Sequence, residues 1–264
     1  MKKRFTLKHQ NDYDTAMDLL TSLLGKIKFE LIEENNTPIK KIDWSHLITH
    51  NKSYPRLKKI KLNKTPKKNF SKLILKRNSV RRFDPDYKIN LNILSSILSN
   101  IKDNSRTDYP QRPFPSAGAL YPSNTYCIIN NSSDIEKGLY FFNHKSNSLE
   151  LLIQKDLCQE INKAICDKSI SNPSVVFILT SSYYKPCLKY GARGFLYSLM
   201  EVGALAQTLN LSCIDNGLDC VWLGGFSDKA IENILDINDD LEIEKPALLI
   251  ATGKAAANKS GNTS

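Results

Sequence analysis

Long apolar runs are missing from this 264-residue chain. Nothing in it approaches the ~20 consecutive apolar residues that span a bilayer, so a membrane-spanning reading is not expected. The opening MKKRFTLKHQ is basic, but no apolar stretch follows it to complete a secretion signal. Glycine and proline number 11 each, too few for a fibrous or low-complexity chain. There are four histidines, and none of the six cysteines (Cys127, Cys158, Cys166, Cys187, Cys213 and Cys220) forms a C-x-x-C pair. Several lie in apolar runs such as YCIIN and LSCI, a pattern of buried thiols in a reducing cytoplasm, not of a disulfide framework or zinc site. His46 and His50 stand four apart, but Leu47 occupies the place where a metalloprotease motif needs Glu. A cytoplasmic protein is expected, with no bound metal and no membrane contact.

What is present is an ordinary globular composition, 41% hydrophobic and 24% charged, on a chain long enough to bury a sizeable core. The net charge of +10 is unevenly placed. Residues 1–70 hold 16 Lys and Arg against 7 Asp and Glu, whereas residues 71–264 hold 21 against 20. The excess is densest from Lys52 to Lys68. A basic arm of this kind is either a solvated face or a docking site for an acidic partner. No nucleic-acid motif with base-reading or stacking residues at defined offsets accompanies it.

Residues 13–28 carry a helical stripe of Ala16, Leu20, Leu23, Leu24 and Ile27. Pro38, Pro55 and Pro66 then interrupt any long element, so the following stretch reads as an extended arm. A short helix is expected from Phe70 to Lys76. Asn90 can cap a second, with the stripe Leu91, Leu94, Ile97, Leu98 and Ile101. Strands are expected at Thr125–Ile129 and Val175–Thr180, and a hairpin at Gly138–Phe142 and Leu149–Ile153. A helix is expected near Lys155–Asp167. The longest helix, from about Arg193 to Asn216, has little polar face and must be covered on all sides, by a sheet and by a second subunit. Strands at Asp219–Leu223 and Ala247–Thr252 bracket a short helix that Ser227 can cap. Together these indicate an α+β protein.

Three segments combine small residues with anion-binding or polar groups. In Arg77-Asn78-Ser79-Val80-Arg81, two guanidiniums four apart with a hydroxyl between them can converge on a phosphate; a basic face at a helix end is the plainer alternative. Pro115-Ser116-Ala117-Gly118-Ala119-Leu120-Tyr121-Pro122 is a turn whose small residues let a flat ligand approach the backbone. Leu223-Gly224-Gly225-Phe226 follows a strand and can present backbone N–H groups, though it lacks the dinucleotide fingerprint and is equally a tight turn.

Taken in order, these segments resemble the flavin-binding nitroreductase superfamily across roughly residues 70–254. The closer resemblance is to its azoline-oxidising (SagB-type) dehydrogenases of ribosomal-peptide biosynthesis. RPFPSAGALYP, GLYFFNHKSNSLELL, LKYGARGFLYSLMEVGALAQTLNL and DNGLDCVWLGGF carry it. Trp44, His46 and Lys52-Ser53-Tyr54-Pro55 also look like that branch's N-terminal segment. Departures are Asn78 where Arg or His is usual, Ala117 for the commoner Gly, and Thr208 for Asn.

The resemblance implies a nitroreductase-like α+β fold with a mixed, mainly antiparallel sheet, a long central helix and a dimeric assembly. It implies an N-terminal basic arm with one helix over 1–69 and an FMN-binding domain over 70–264. Arg77, Ser79 and Arg81 would grip the phosphate, ribityl and pyrimidine side of FMN, and Lys254 would add a phosphate cation. Ser116, Ala117 and Gly118 would lie along the flavin ring, with Gly224 and Gly225 near its N5 edge. Lys189 and Tyr190 are the implied catalytic pair. Aromatising a thiazoline or oxazoline removes a hydride, which FMN can accept, and a proton, which needs a base. Packed beside a flavin, Lys189 would be pushed toward neutrality and Tyr190 toward tyrosinate; either can be that base. Oxygen is the expected final acceptor. The implied partners are a second copy, cyclodehydratase subunits and a peptide substrate. A nicotinamide-driven nitro, quinone or flavin reductase, and a non-catalytic scaffold subunit, are the alternatives; the scaffold would purify colourless.

Overall fold

The computed structural model describes residues 52, 54–237 and 244–257. The expected helix at 13–28, the pair His46 and His50, and Trp44 lie outside them. Residues 54–68 form no helix or strand and are exposed along their length.

Six strands form one sheet: β1 (Ser123–Ile129), β2 (Gly138–Asn143), β3 (Ser148–Ile153), β4 (Val175–Ser182), β5 (Asp219–Leu223) and β6 (Glu244–Gly253). Their spatial order is β3-β2-β1-β4-β6-β5, and every pairing between them is antiparallel. Parallel pairing occurs among the described residues only as isolated bridges, such as Ser79 with Cys220. The sheet is thus less mixed than expected.

Period-two alternation divides the apolar side chains between two layers. Cys127, Ile129, Phe177, Leu179 and Ile250 face α2 (Leu91–Ser99) and the long α5 (Ala192–Asp215). Tyr126, Ile128, Val176, Ile178, Leu249 and Ala251 face α3 (Cys158–Ala164) and α6 (Asp228–Leu235). Central β4 is buried at every position, which is why VVFILT is a continuous apolar run without alternation.

The helix ends follow their capping residues. α1 (Asn69–Lys76) stops before Arg77. Asn90 Oδ1 accepts the Ile93 N–H at 2.9 Å to start α2, and Ser227 Oγ accepts that of Ala230 to start α6. Two expectations need correction. Leu91 is exposed, so the α2 stripe begins at Leu94. The helix near Lys155–Asp167 shrinks to α3, because Asp156 Oδ1 accepts the Cys158 N–H at its start and Ile165 turns extended to bridge with Phe226.

α4 (Tyr184–Tyr190) joins α5 through Gly191. α5 buries Val202, Leu205, Ala206 and Leu209 against the sheet but leaves Leu196, Leu199 and Met200 exposed. Phe70, Ile74 and Leu75 of α1, which packs on α5, are exposed as well.

Candidate active site

Most of the expected site residues fall into two groups at opposite ends of the sheet, with Arg81, Gly224 and Gly225 outside both. β1 begins where β4 ends, with Ser123 opposite Ser181, so the loop before β1 and α4 after β4 meet there. Within that loop Ala117–Ala119 make one 3-10 turn, and Gly118 has φ 64. Its bareness has a direct use. A Cβ on Gly118 would overlap the Tyr190 hydroxyl and stand 2.5 Å from Lys189 Nζ. The loop and the Lys-Tyr pair, far apart in sequence, are therefore in contact. Lys189 Nζ lies 5.3 Å from the centre of the Tyr190 ring, and Tyr190 packs edge-on to Tyr197. Lys189 is exposed and Tyr190 half-buried, so both tips can be reached from solvent.

Beneath the loop lies a buried polar cluster. Glu201, 3% exposed, enters from the middle of α5. Its Oε1 accepts the Ser123 N–H at 3.2 Å and hydroxyl at 2.8 Å, and the nearby Ser116 hydroxyl also favours its charged form. Burial raises its pKa above the ordinary carboxyl value, against the pull of those bonds and of Arg112. Arg112 Nη1 donates to the Ser123 carbonyl at 2.9 Å, and the guanidinium sits 5.2 Å from the Tyr121 ring centre. Neither Glu201 nor Arg112 was singled out from sequence. The available signal was a carboxylate inside the apolar run LYSLMEVGALA, which a buried helix face tolerates only with partners.

The second group stands at the other end, roughly 20 Å away if β4 is measured from Val175 to Ser181 at ~3.3 Å per residue. Arg77 Nη1 reaches Ser79 Oγ at 3.5 Å, and Ser79 bridges to Cys220 near the start of β5. Lys254, just past β6, donates from Nζ to the Gly217 carbonyl at 2.8 Å. Arg77 and Lys254 pair with no carboxylate among the described residues; nearby Asp219 accepts the Ala255 N–H. Arg81 is not gathered with them: its Nε donates to Asp167 at 3.0 Å. Cys166, next to Asp167, donates its N–H to the Gly225 carbonyl. Gly224 faces open space where a Cβ would stand. Gly224 and Gly225 follow β5, about 13 Å from Cys220 at the same rise.

The three departures have local accounts. Asn78 Oδ1 accepts the Ser79 N–H, Ala117 starts the 3-10 turn, and the Thr208 hydroxyl donates to the Ala204 carbonyl inside α5. All six cysteines are free thiols. Among the described residues, no group of His, Cys, Asp or Glu has the makings of a metal site, and no helix is long and apolar enough to cross a membrane.

The chain belongs to the nitroreductase family, whose pattern residues 74–254 match. A Methanocaldococcus jannaschii protein that carries a provisional nitroreductase name is 32% identical over 186 residues, covering 69% of this chain and 89% of that one. The microcin B17-processing protein McbC of Escherichia coli is 24% identical over 159 residues, covering 57% of this chain and 58% of McbC. Among solved structures, a chain of the E. coli microcin synthetase McbBCD complex with truncated pro-MccB17 bound superposes with a TM-score of 0.72. That match has 18% identity and covers 97% of this chain and 100% of the other. A nitroreductase-type structure from Ralstonia eutropha gives a TM-score of 0.60 at 21% identity, covering 75% and 88%.

Proposed function

We propose that this chain is an FMN-dependent dehydrogenase that oxidises thiazolines and oxazolines in a peptide to thiazoles and oxazoles. The observation that carries the reading is the convergence of Lys189 Nζ and the Tyr190 hydroxyl on bare Gly118. A reductase fed by nicotinamide has no need of such a pair, whereas azoline aromatisation needs a base beside the hydride acceptor. The likeness to McbC, a microcin-processing protein, supports it.

The residues fit a flavin mononucleotide. Arg77, Ser79 and Lys254 offer donors without a competing carboxylate, as a phosphate requires. A Cβ on Gly224 would meet nothing within 4 Å, so the turn leaves room for a flat ring. Bound FMN supplies the hydride acceptor. Ser116, Ala117 and Gly118 would lie along the ring, and Lys189 or Tyr190 would take the proton from the azoline carbon.

These two sets stand at opposite ends of a sheet roughly 20 Å long, a separation within one chain. A homodimer in which the second copy brings its Gly118 loop and Lys-Tyr pair bridges it. The exposed Leu196, Leu199 and Met200 on α5, with Phe70 and Leu75 of α1, supply an apolar surface to bury. In this reading residues 1–69 are a basic arm, residues 70–264 form the catalytic domain, and the protein works in the cytoplasm with cyclodehydratase subunits.

Three measurements test it. Cofactor released by heat should co-elute with FMN, and FAD in its place would contradict the assignment. Light scattering should give a dimer, dissociated by Met200→Glu; a flavin-loaded monomer would remove the shared site. With an azoline peptide, Lys189→Ala and Tyr190→Phe should keep FMN and the dimer yet lose azole formation by at least ~100-fold. Wild-type azole yield from both variants would exclude the pair. The relative named as a nitroreductase favours the second reading, an NAD(P)H-dependent nitro, quinone or flavin reductase. Rapid flavin reduction by NADPH, unaffected by both substitutions, would select that reading.

A further inference from the structure

The loop that meets Lys189 and Tyr190 is strained along its length. Gly118 at φ 64 is joined by two residues with a side chain in the same left-handed region, Ala119 at φ 53 and Tyr121 at φ 44. A left-handed residue bearing a Cβ is unfavourable by ~1–2 kcal/mol, and such conformations persist only where their surroundings over-determine them. Solvent offers nothing of the kind, because Gly118 and Ala119 are exposed. The constraint must come from below.

It comes through Ser116. Its Oγ accepts the N–H of the left-handed Tyr121 at 2.9 Å, and its hydroxyl lies near Glu201, favouring the charged carboxylate. The same carboxylate takes both the N–H and the hydroxyl of Ser123, where the loop enters β1. Glu201 thus holds the loop where it enters β1 and lies beside Ser116, which ties off the loop's other side through Tyr121. Arg112 completes the frame, bonded to the Ser123 carbonyl and lying over the Tyr121 ring. Its Nε is buried without a partner, and Glu201, then Asp103, are the carboxylates that oppose its charge. A carboxylate buried in the centre of an apolar helix is unfavourable unless it is paired and hydrogen-bonded, as Glu201 is by Ser123 and by the charge of Arg112.

We infer that Glu201 is a positioning residue for the Lys189–Tyr190 pair: its carboxylate anchors the strained 116–123 loop and so fixes Gly118 against Lys189 Nζ and the Tyr190 hydroxyl. The pair's catalytic part rests on the proposed dehydrogenase reading; the anchor itself does not.

The test uses the full-length, flavin-loaded protein with Glu201→Gln, which retains one acceptor oxygen, and Glu201→Met, which retains none. Hydrogen exchange at the Tyr121 and Ser123 amides should rise about tenfold or more in Glu201→Met and less in Glu201→Gln, with the amides of β4 unchanged. In azole formation, kcat should fall about tenfold or more in Glu201→Met at unchanged KM, and Glu201→Gln should recover part of it. Wild-type exchange in the loop of Glu201→Met overturns the anchor whatever the activities. A loosened loop with wild-type kcat overturns the positioning role. Should the native enzyme make no azole, the dehydrogenase reading fails, and Lys189 labelling by an acylating reagent decides the anchor's reach. Faster labelling of Lys189 alone in Glu201→Met supports it; an unchanged rate overturns it. If Glu201→Met does not fold, Glu201→Gln carries the same readouts at smaller amplitude.

Discussion

The two ends of the sheet handle charge in opposite ways. At the Ser123–Ser181 end, Glu201 and Arg112 are drawn inside and bound to one another's neighbours, and a strained loop is fastened over them. At the Gly253 end, Arg77 and Lys254 bond only to neutral oxygens. A group that must hold catalytic atoms in place needs its partners built in. In the proposed reading, the second set would meet an anion, and its side chains have no carboxylate partner among the described residues. Rigidity is therefore expected at one end and adaptability at the other.

The largest way to break this contrast is to protonate the buried end. His144 is buried beside Phe142, its Nδ1 bonded to the Ile101 carbonyl and its Nε2 without a partner. Burial first, then the charge of Arg112, lowers its pKa to about 4, against the opposing Ile101 bond. The folded state thus prefers neutral His144, and its contribution is complete above the ordinary histidine value of about 6.5. It is lost as pH falls from there toward 4, an effect of about 3 kcal/mol. Urea unfolding at pH 7 and pH 4 should show this loss in the wild type, and His144→Gln should remove that part of the difference. An unaltered pH dependence in the variant would show that His144 is not responsible.

A second intervention acts on the loop itself. Gly118→Ala adds a Cβ at positive φ, destabilising by ~1–2 kcal/mol, and pushes Lys189 Nζ and the Tyr190 hydroxyl aside. Azole formation should fall about tenfold or more while FMN content holds. Thermal denaturation and turnover measured together separate the two effects.

The open end should respond differently. Arg77→Ala and Lys254→Ala, at exposed positions, should change stability by no more than ~0.5 kcal/mol, yet each should weaken FMN retention on dialysis. Unchanged flavin occupancy in both would remove them from the phosphate site. A modest, salt-sensitive effect is expected at Arg81, whose pairing with Asp167 is half-exposed on both sides. Breaking it with Asp167→Ala should alter stability by ~0.2–1 kcal/mol at low salt and less at high salt.

Much of the fold could be read from local pattern. Alternation marked the strands, and Asn90 and Ser227 marked two helix starts through their side-chain acceptors. α3 was overestimated because the competitor for its ends is tertiary: Ile165 is drawn into a bridge with Phe226, some sixty positions away. The apolar surround of α5 was legible, yet Glu201 within it was overlooked, since one charged residue barely alters a helical stripe. Its importance appears only when Ser123 is seen to bond to it through both its N–H and its hydroxyl.

The sequence by itself determined the parts: which segments are strands, where small residues permit close approach, and that Lys189 and Tyr190 are neighbours at a helix end. Only the tertiary structure decided how those parts meet. Antiparallel pairing of β1 with β4 brings the start of one beside the end of the other, so Gly118 lands on the Lys-Tyr pair. The same rule, carried on through β6, leaves Lys254 at the opposite end, beside β5 and the Arg77–Ser79 segment. Hydrogen-bond register between strands sets these distances, and no property of either segment alone encodes it.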